Sequence, residues 1–260
     1  EYVSLTGNQV GCILMEYVLS QKKAKGELPG NGFVIKTIVS TEMARAVAEY
    51  YDVELVEVLT GFKFIGEKIK NMDEFGDKKF LFGFEESYGY LAGTFVRDKD
   101  GVVTSMLAAE MAAFYKSKGF TLQEVLEQMY ERYGHTIDYT TSYTLKGKEG
   151  HQTIINAMKE LRDNPPRDFS GLEILAVRDY KKRKRRDMRT GEETVIDMTE
   201  SNVLYYEMGG GCWCCIRPSG TEPKIKVYFG VTGSSMSSAE DRLREIRGNV
   251  LGVIEKLLGR

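Results

Sequence analysis

Apolar residues recur at helical spacing from Gln9 to Ser20, where Val10, Ile13, Leu14, Tyr17 and Val18 share one face. A β-rich run, Phe33 to Val39, ends at Ser40-Thr41, residue types that cap helices, and a helical stretch through Ala44 to Tyr51 follows. Val53 to Leu59 reads as a buried strand and Phe80 to Phe84 as another. A helix over Thr104 to Lys118 turns Leu107, Met111 and Phe114 inward. Thr121 and Glu124 form a capping box inside a Phe120 to Val125 hydrophobic staple, which predicts a helix to about Tyr133. Strands alternating with helices predict parallel pairing, with ligand-holding loops at the strand ends.

That rhythm stops at Tyr133-Gly134-His135-Thr136, which we take as a domain boundary and hinge, giving domains over 1–133 and 134–260. The second half reads as a strand (Tyr139 to Leu145), a helix (His151 to Leu161), strands at Leu172 to Asp179 and Thr194 to Met198, two strands around a loop near 219, and a helix from Ser238 to Leu258. The expected fold is therefore an α/β domain with a mostly parallel sheet, followed by an α+β domain with an antiparallel sheet and helices on one face. No internal repeat or low-complexity tract interrupts either half.

Composition narrows the class. With 260 residues, 42% of them hydrophobic, the chain can build two modest cores, and a net charge of −2 gives no bulk attraction to nucleic acid or membrane. No apolar run is long enough to span a bilayer and no signal pattern opens the chain, so a cytoplasmic location is expected. The start at Glu1, without methionine, suggests a designed or processed fragment of something longer. Of four cysteines, Cys12 is isolated, while Cys212 and Cys214 alternate with Cys215 along a strand. His135 and His151 lack the spacing of a zinc pair, which leaves buried reduced thiols.

The densest chemistry lies in CWCCIRPSGTEPKIKVYFG, residues 212 to 230. Between two strands, Arg217, Ser219, Gly220 and Thr221 offer a guanidinium fork, two hydroxyls and a glycine for close backbone approach, the groups a phosphate dianion requires. Lys224 and Lys226 project opposite Ile225, Val227 and Phe229 and add positive charge. A second charged feature, the six consecutive cations Lys181 to Arg186, carries a rival reading as a nucleic-acid patch. Its setting between a strand and a Thr190-Gly191 turn, with Asp187, Glu192 and Glu193 nearby, favours a solvated hairpin arm. Asp98-Lys99-Asp100-Gly101 has the wrong spacing for a calcium loop, and no P-loop motif occurs.

RPSGTEPKIKVYF closely resembles the C-terminal phosphate-binding loop of the α-D-phosphohexomutases, the phosphoglucomutase and phosphomannomutase superfamily. GFEESYGY at Gly83 to Tyr90 resembles that family's sugar-binding loop, and LTGNQVG (5–11) and TGFKFIGEKI (60–69) match further segments in the expected order. The resemblance implies the third and fourth domains of a four-domain mutase, with the first two missing. It assigns Glu85 and Ser87 to adjacent ring hydroxyls, Thr60 and Gly61 to a second sugar loop, Lys99 to the site, and Arg217, Ser219, Gly220, Thr221 and Lys226 to the non-reacting phosphate, with Lys224 as a candidate for further charge. The implied ligand is a hexose phosphate, gripped at both ends in either orientation as a bisphosphate turns around.

The family's phosphoserine-histidine loop and its Asp-x-Asp-x-Asp-Arg magnesium loop do not occur in this sequence. The resemblance therefore implies no catalytic or metal-binding residue here. Mg2+ and glucose 1,6-bisphosphate would serve the full-length phosphoprotein, and these residues alone would bind without turnover. Glu85-Glu86-Ser87 resembles the family's glucose-type loop, which implies glucose phosphate, with mannose and pentose phosphates as alternatives.

Overall fold

The computed structural model describes residues 2–169, 171–220 and 222–259, except the side chain of Phe75. It divides into two compact units, Glu1–Gly134 and His135–Arg260. No helix among the described residues is long and apolar enough to cross a membrane.

Unit 1 contains α1 (Gly7–Ala24), β1 (Gly32–Thr37), α2 (Met43–Tyr50), β2 (Glu54–Val58), α3 (Phe62–Phe75), β3 (Lys79–Glu85), β4 (Gly89–Leu91), α4 (Gly101–Ser117) and α5 (Leu122–Tyr133). The strands lie in the order β2-β1-β3-β4, parallel except for the β3–β4 hairpin. Central β1 is buried along its whole length, because α3 packs on its Phe33 and Ile35 side. Helix α1 lies against β3, α2, α4 and α5. That enclosure buries Gly11 through Leu19 continuously, so the single apolar stripe of the sequence understates how much of α1 is covered. Within it, Glu16 accepts from Tyr51 and Tyr133, each at 2.8 Å, and so ties α1 to α5 and to the end of α2. The Thr121–Glu124 capping box forms as expected. Two expectations change. Within 53–59, Val53, Val58 and Leu59 are buried as expected, but 54–57 are exposed or partly buried, because β2 is an edge strand flanked only by β1. The N-cap of α2 is Glu42, whose side chain makes no capping bond, while Thr41 instead accepts from the Met43 amide.

Unit 2 contains β5 (His135–Thr144), α6 (Gly147–Asp163), β6 (Asp168–Phe169), β7 (Leu172–Asp179), β8 (Lys184–Asp187), β9 (Glu193–Val195), β10 (Leu204–Met208), β11 (Trp213–Pro218), β12 (Lys224–Gly233) and α7 (Met236–Leu257). Its antiparallel sheet runs β5-β12-β11-β10-β7-β8-β9, with β6 paired to β7. Residues of α6 and α7 share one core with Val177, Leu204, Cys214, Ile216, Ile225, Val227 and Phe229 from one sheet face. The central strand β10 was not anticipated from the sequence. Its Leu-Tyr-Tyr run is buried on both faces: Tyr206 joins the helix-side core, while Tyr205 stacks on Trp213 at 5.1 Å on the other. All four cysteines are buried and reduced, Cys212 and Cys214 toward the helices.

Candidate functional site

In a parallel sheet the loops beyond the carboxyl ends of the strands are the usual ligand-binding positions. Unit 1 places 38–42 after β1, 59–61 after β2 and 86–88 after β3, so both sugar-loop segments identified from sequence flank the central strand end. Gly61 adopts a φ of 123°, open to glycine and strained for other residues, as the N-cap of α3. The preceding Thr60 hydroxyl is buried and has no hydrogen-bond partner in the structure.

The 85–88 loop is held from below by α1. A Cβ on Gly7 would stand 2.1 Å from the Glu86 carbonyl oxygen, so only glycine lets the helix come this close. Tyr90 donates to the Gly7 carbonyl at 2.9 Å and Tyr88, at a φ of 63°, donates to the Leu5 carbonyl at 3.0 Å. Burial raises the Tyr90 pKa and keeps that hydroxyl a donor. The LTGNQVG and GFEESYGY segments are thus two sides of one contact. Glu85 is buried beside Gly89, Glu86 is half-buried, and Ser87 is exposed.

Lys99 belongs to a segment tied to both loops. A Cβ on Gly66 of α3 would lie 2.1 Å from the Arg97 carbonyl oxygen, so the segment packs directly on that helix. The Lys99 ammonium stands 5.7 Å from the Phe62 ring centroid, next to Gly61 in sequence, and the Asp100 amide donates to the Tyr90 carbonyl at 2.9 Å.

Sequence reasoning missed the support beneath these loops. Lys36, in the otherwise apolar run of β1, is fully buried and donates to Glu42 at 2.7 Å and to the Ser40 carbonyl at 3.1 Å, with Glu57 3.0 Å away. Arg45 bonds the same two carboxylates at 2.9 Å. The Ser40 hydroxyl meets Thr37 at 2.9 Å, and Thr37 reaches Glu86 at 3.5 Å. A lysine midway along a buried strand was the available signal.

In unit 2, β11 and β12 present Arg217 and Lys226 as directly opposed residues. The turn between them is closed by the Ser219 amide donating to the Lys224 carbonyl at 2.7 Å, and by the Ser219 hydroxyl oxygen accepting from the Glu222 amide at 3.3 Å. Gly220 is exposed at its tip, and Thr221 lies outside the described residues. Among the described residues Arg217, Lys224 and Lys226 make no ion pair with a carboxylate, and the Lys226 ammonium stands 5.9 Å from the Tyr228 ring centroid. Gly220 and Glu222 also border a cavity of about 660 Å³ shared with Gly147, Lys148 and His151. These belong to the first turns of α6, whose N-cap Lys146 makes no side-chain capping bond. Its unpaired amides add a partial positive charge there.

The Lys181–Arg186 run does not form one basic surface. Its first residues turn through Arg183, at a φ of 54°, and the rest forms β8 against β7. Arg183 stands 3.7 Å from Asp197, Lys184 2.6 Å from Glu193 and Arg185 2.7 Å from Glu207. Burial raises the Glu207 pKa, but the hydrogen bonds and charges of Arg185 and Arg178 outweigh it and leave the carboxyl below its ordinary value.

Residues 6–133 match the family described as phosphoglucomutase/phosphomannomutase, alpha/beta/alpha domain III. The phosphoglucomutase of Staphylococcus aureus strain MRSA252 is 40% identical over 225 residues, 86% of this chain and 40% of that protein. That of Staphylococcus epidermidis strain RP62A is 37% identical over 226 residues, 87% of this chain and 40% of its own length. This chain thus spans about 40% of the curated relatives it matches. The same fold recurs in the open form of the parafusin phosphoglucomutase of Paramecium, with 18% identity, a TM-score of 0.66, and coverage of 98% of this chain and 43% of that one. It recurs too in a phosphoglucomutase/phosphomannomutase family protein of Burkholderia thailandensis, with 14% identity, a TM-score of 0.57, and coverage of 97% and 42%. With relatives that extend through both units, this chain belongs to the phosphoglucomutase/phosphomannomutase family of the α-D-phosphohexomutase superfamily.

Proposed function

We propose that this chain is the sugar- and phosphate-binding half of a phosphoglucomutase, its units being the third and fourth domains of a cytoplasmic parent. That parent interconverts glucose 1-phosphate and glucose 6-phosphate through a bisphosphate. The observation that carries this reading is the positive charge of Arg217, Lys224 and Lys226 around a glycine turn, unmatched by a carboxylate among the described residues, in a chain whose other unit gathers Thr60, Gly61, Glu85, Ser87 and Lys99 on neighbouring segments. An ionised Glu85 accepts two hydroxyl protons and Ser87 donates or accepts, which orients adjacent ring hydroxyls. Thr60, Gly61 and Lys99 extend those contacts. Arg217 grips two oxygens of the non-reacting phosphate, helped by Ser219, Gly220 and Thr221, with Lys226 adding charge. The names of the Staphylococcus relatives support glucose over a mannose or pentose phosphate.

The phosphoserine and Mg2+ of such a mutase would be supplied by sequence outside these residues. Among the described residues no three His, Cys, Asp or Glu side chains are grouped to hold a metal ion, so no step is assigned to one. Magnesium, where bound, offsets charge on the transferred phosphoryl group. The 260 residues alone are expected to bind sugar phosphate without mutase turnover.

Arg217→Ala in the parent should cost about 2–4 kcal/mol in kcat/KM, as for loss of a bidentate charged contact. Glu85→Gln, which keeps side-chain volume at a buried position, and Ser87→Ala should impair sugar recognition with little change in Tm. Unaltered kcat/KM in Arg217→Ala would remove the phosphate assignment. Lost stability with unaltered kinetics in the other two would remove the sugar assignment.

A further inference from the structure

Among the described residues, Arg186 is the cation of β8 that makes no ion pair. Its cross-strand neighbour Glu193 is engaged by Lys184. Arg186 lines a cavity of about 670 Å³ together with Arg167 and Arg189, and among the described residues none of these three guanidinium groups has a carboxylate partner within 4 Å. Strand register fixes where this cavity lies. From the Arg217 end of β11, Ile216 faces Leu204 of β10, Leu204 faces Asp179 of β7, and Asp179 faces Lys184 of β8. Glu173 and Met188, which also line the cavity, therefore mark the opposite end of the sheet.

We propose that this cavity is a second binding site, for a phosphate ester bearing free hydroxyls. Three guanidinium forks suit phosphate oxygens, and the volume is that of a small-molecule site. Asp168 and Glu173 on the same wall repel a bare anion but accept from hydroxyls, which selects an ester over inorganic phosphate. Asp168 is fixed in place by accepting from the Gly171 amide at 2.9 Å. The site owes nothing to the sugar and phosphate loops and stands or falls apart from them.

The test is isothermal titration of the 260-residue chain carrying Arg217→Ala, so that the phosphate loop is disabled, with glucose 6-phosphate, ADP and inorganic phosphate as separate probes. One ester should bind saturably and at least tenfold more tightly than inorganic phosphate. Adding Arg186→Ala and Arg189→Ala should weaken it at least tenfold with near-ultraviolet circular dichroism unchanged, whereas Lys182→Ala, in the same run but outside the cavity, should not. Should the alanine pair misfold, Arg189→Lys, which keeps the charge and loses the fork, should still weaken binding several-fold. A glucose 6-phosphate response identifies sugar phosphate as the source, and an ADP response identifies a nucleotide. No saturable binding of either ester, equal affinity after the arginine changes, or equal loss in Lys182→Ala overturns the proposal.

Discussion

Replacing Lys36 by Met tests whether the loops of unit 1 rest on a buried charge network. The ammonium lies 2.7 Å from Glu42 and 3.0 Å from Glu57, and its side chain has no exposed area. Removing one partner of a buried ion pair costs about 3–5 kcal/mol, because the remaining charge is left uncompensated. Here the carboxylates are 25% and 18% exposed and each keeps Arg45 at 2.9 Å. The loss should therefore fall lower, at about 2–3 kcal/mol, or a drop of roughly 6–12 °C in the midpoint of unit 1. Urea and thermal melts followed by far-ultraviolet circular dichroism would measure it, and hydrogen exchange should quicken around Ser40, whose carbonyl accepts from Lys36. Adding Glu57→Gln should recover about 1 kcal/mol by removing one of the two negative charges that Lys36 had offset. A loss below about 0.5 kcal/mol, or a double variant whose losses simply add, would refute the argument that these charges are coupled.

Glu207 makes stability sensitive to acid. Its folded pKa lies below the ordinary 4.5, so its contribution is present above that value and is lost as pH falls through the folded one; Glu207→Gln should flatten the stability–pH profile of unit 2 below about pH 4.5. Gly7→Ala should destabilise unit 1 by about 1–3 kcal/mol, since the new methyl meets the Glu86 backbone oxygen. By contrast, Gly248→Ala on the exposed face of α7 meets nothing within 4 Å and should stabilise by about 0.5–1 kcal/mol in denaturant melts. Thr121→Ala should cost about 1 kcal/mol through loss of the α5 cap.

Elements with a local signal were legible. The periodic stripe of α1, the Thr121–Glu124 box and the full extent of β7 follow from neighbouring residues alone. Strand β10 did not, because Leu204 to Tyr206 is apolar without alternation, and the Gly209–Gly211 turn after it gave no sign of a sheet partner on each side. Strand β8 was hidden by its charge. Three residues of the basic tract, with Asp187, become a strand because β7 offers an edge, Glu193 on the returning strand receives Lys184, and Glu207, distant in sequence, receives Arg185. The candidate site divides the same way. Glu85, Thr60 and Arg217 stand in contiguous motifs, whereas the approach of Gly7 to Glu86 and the links from Lys36 through Ser40 and Thr37 join segments whose contact only the folded topology creates.

The buried thiols have a kinetic consequence. Thiolate is the form that attacks an alkylating reagent, and Cys214, fully enclosed and with its pKa raised by that burial, offers almost none while the fold is intact. Cys12 is equally enclosed in α1, and Cys212 and Cys215 flank Cys214 in sequence. Labelling therefore waits for an opening event, and the site labelled tells which unit opened. Pulsed alkylation read by peptide mass gives a separate opening rate for each unit from the same tube, with no probe engineered into the protein.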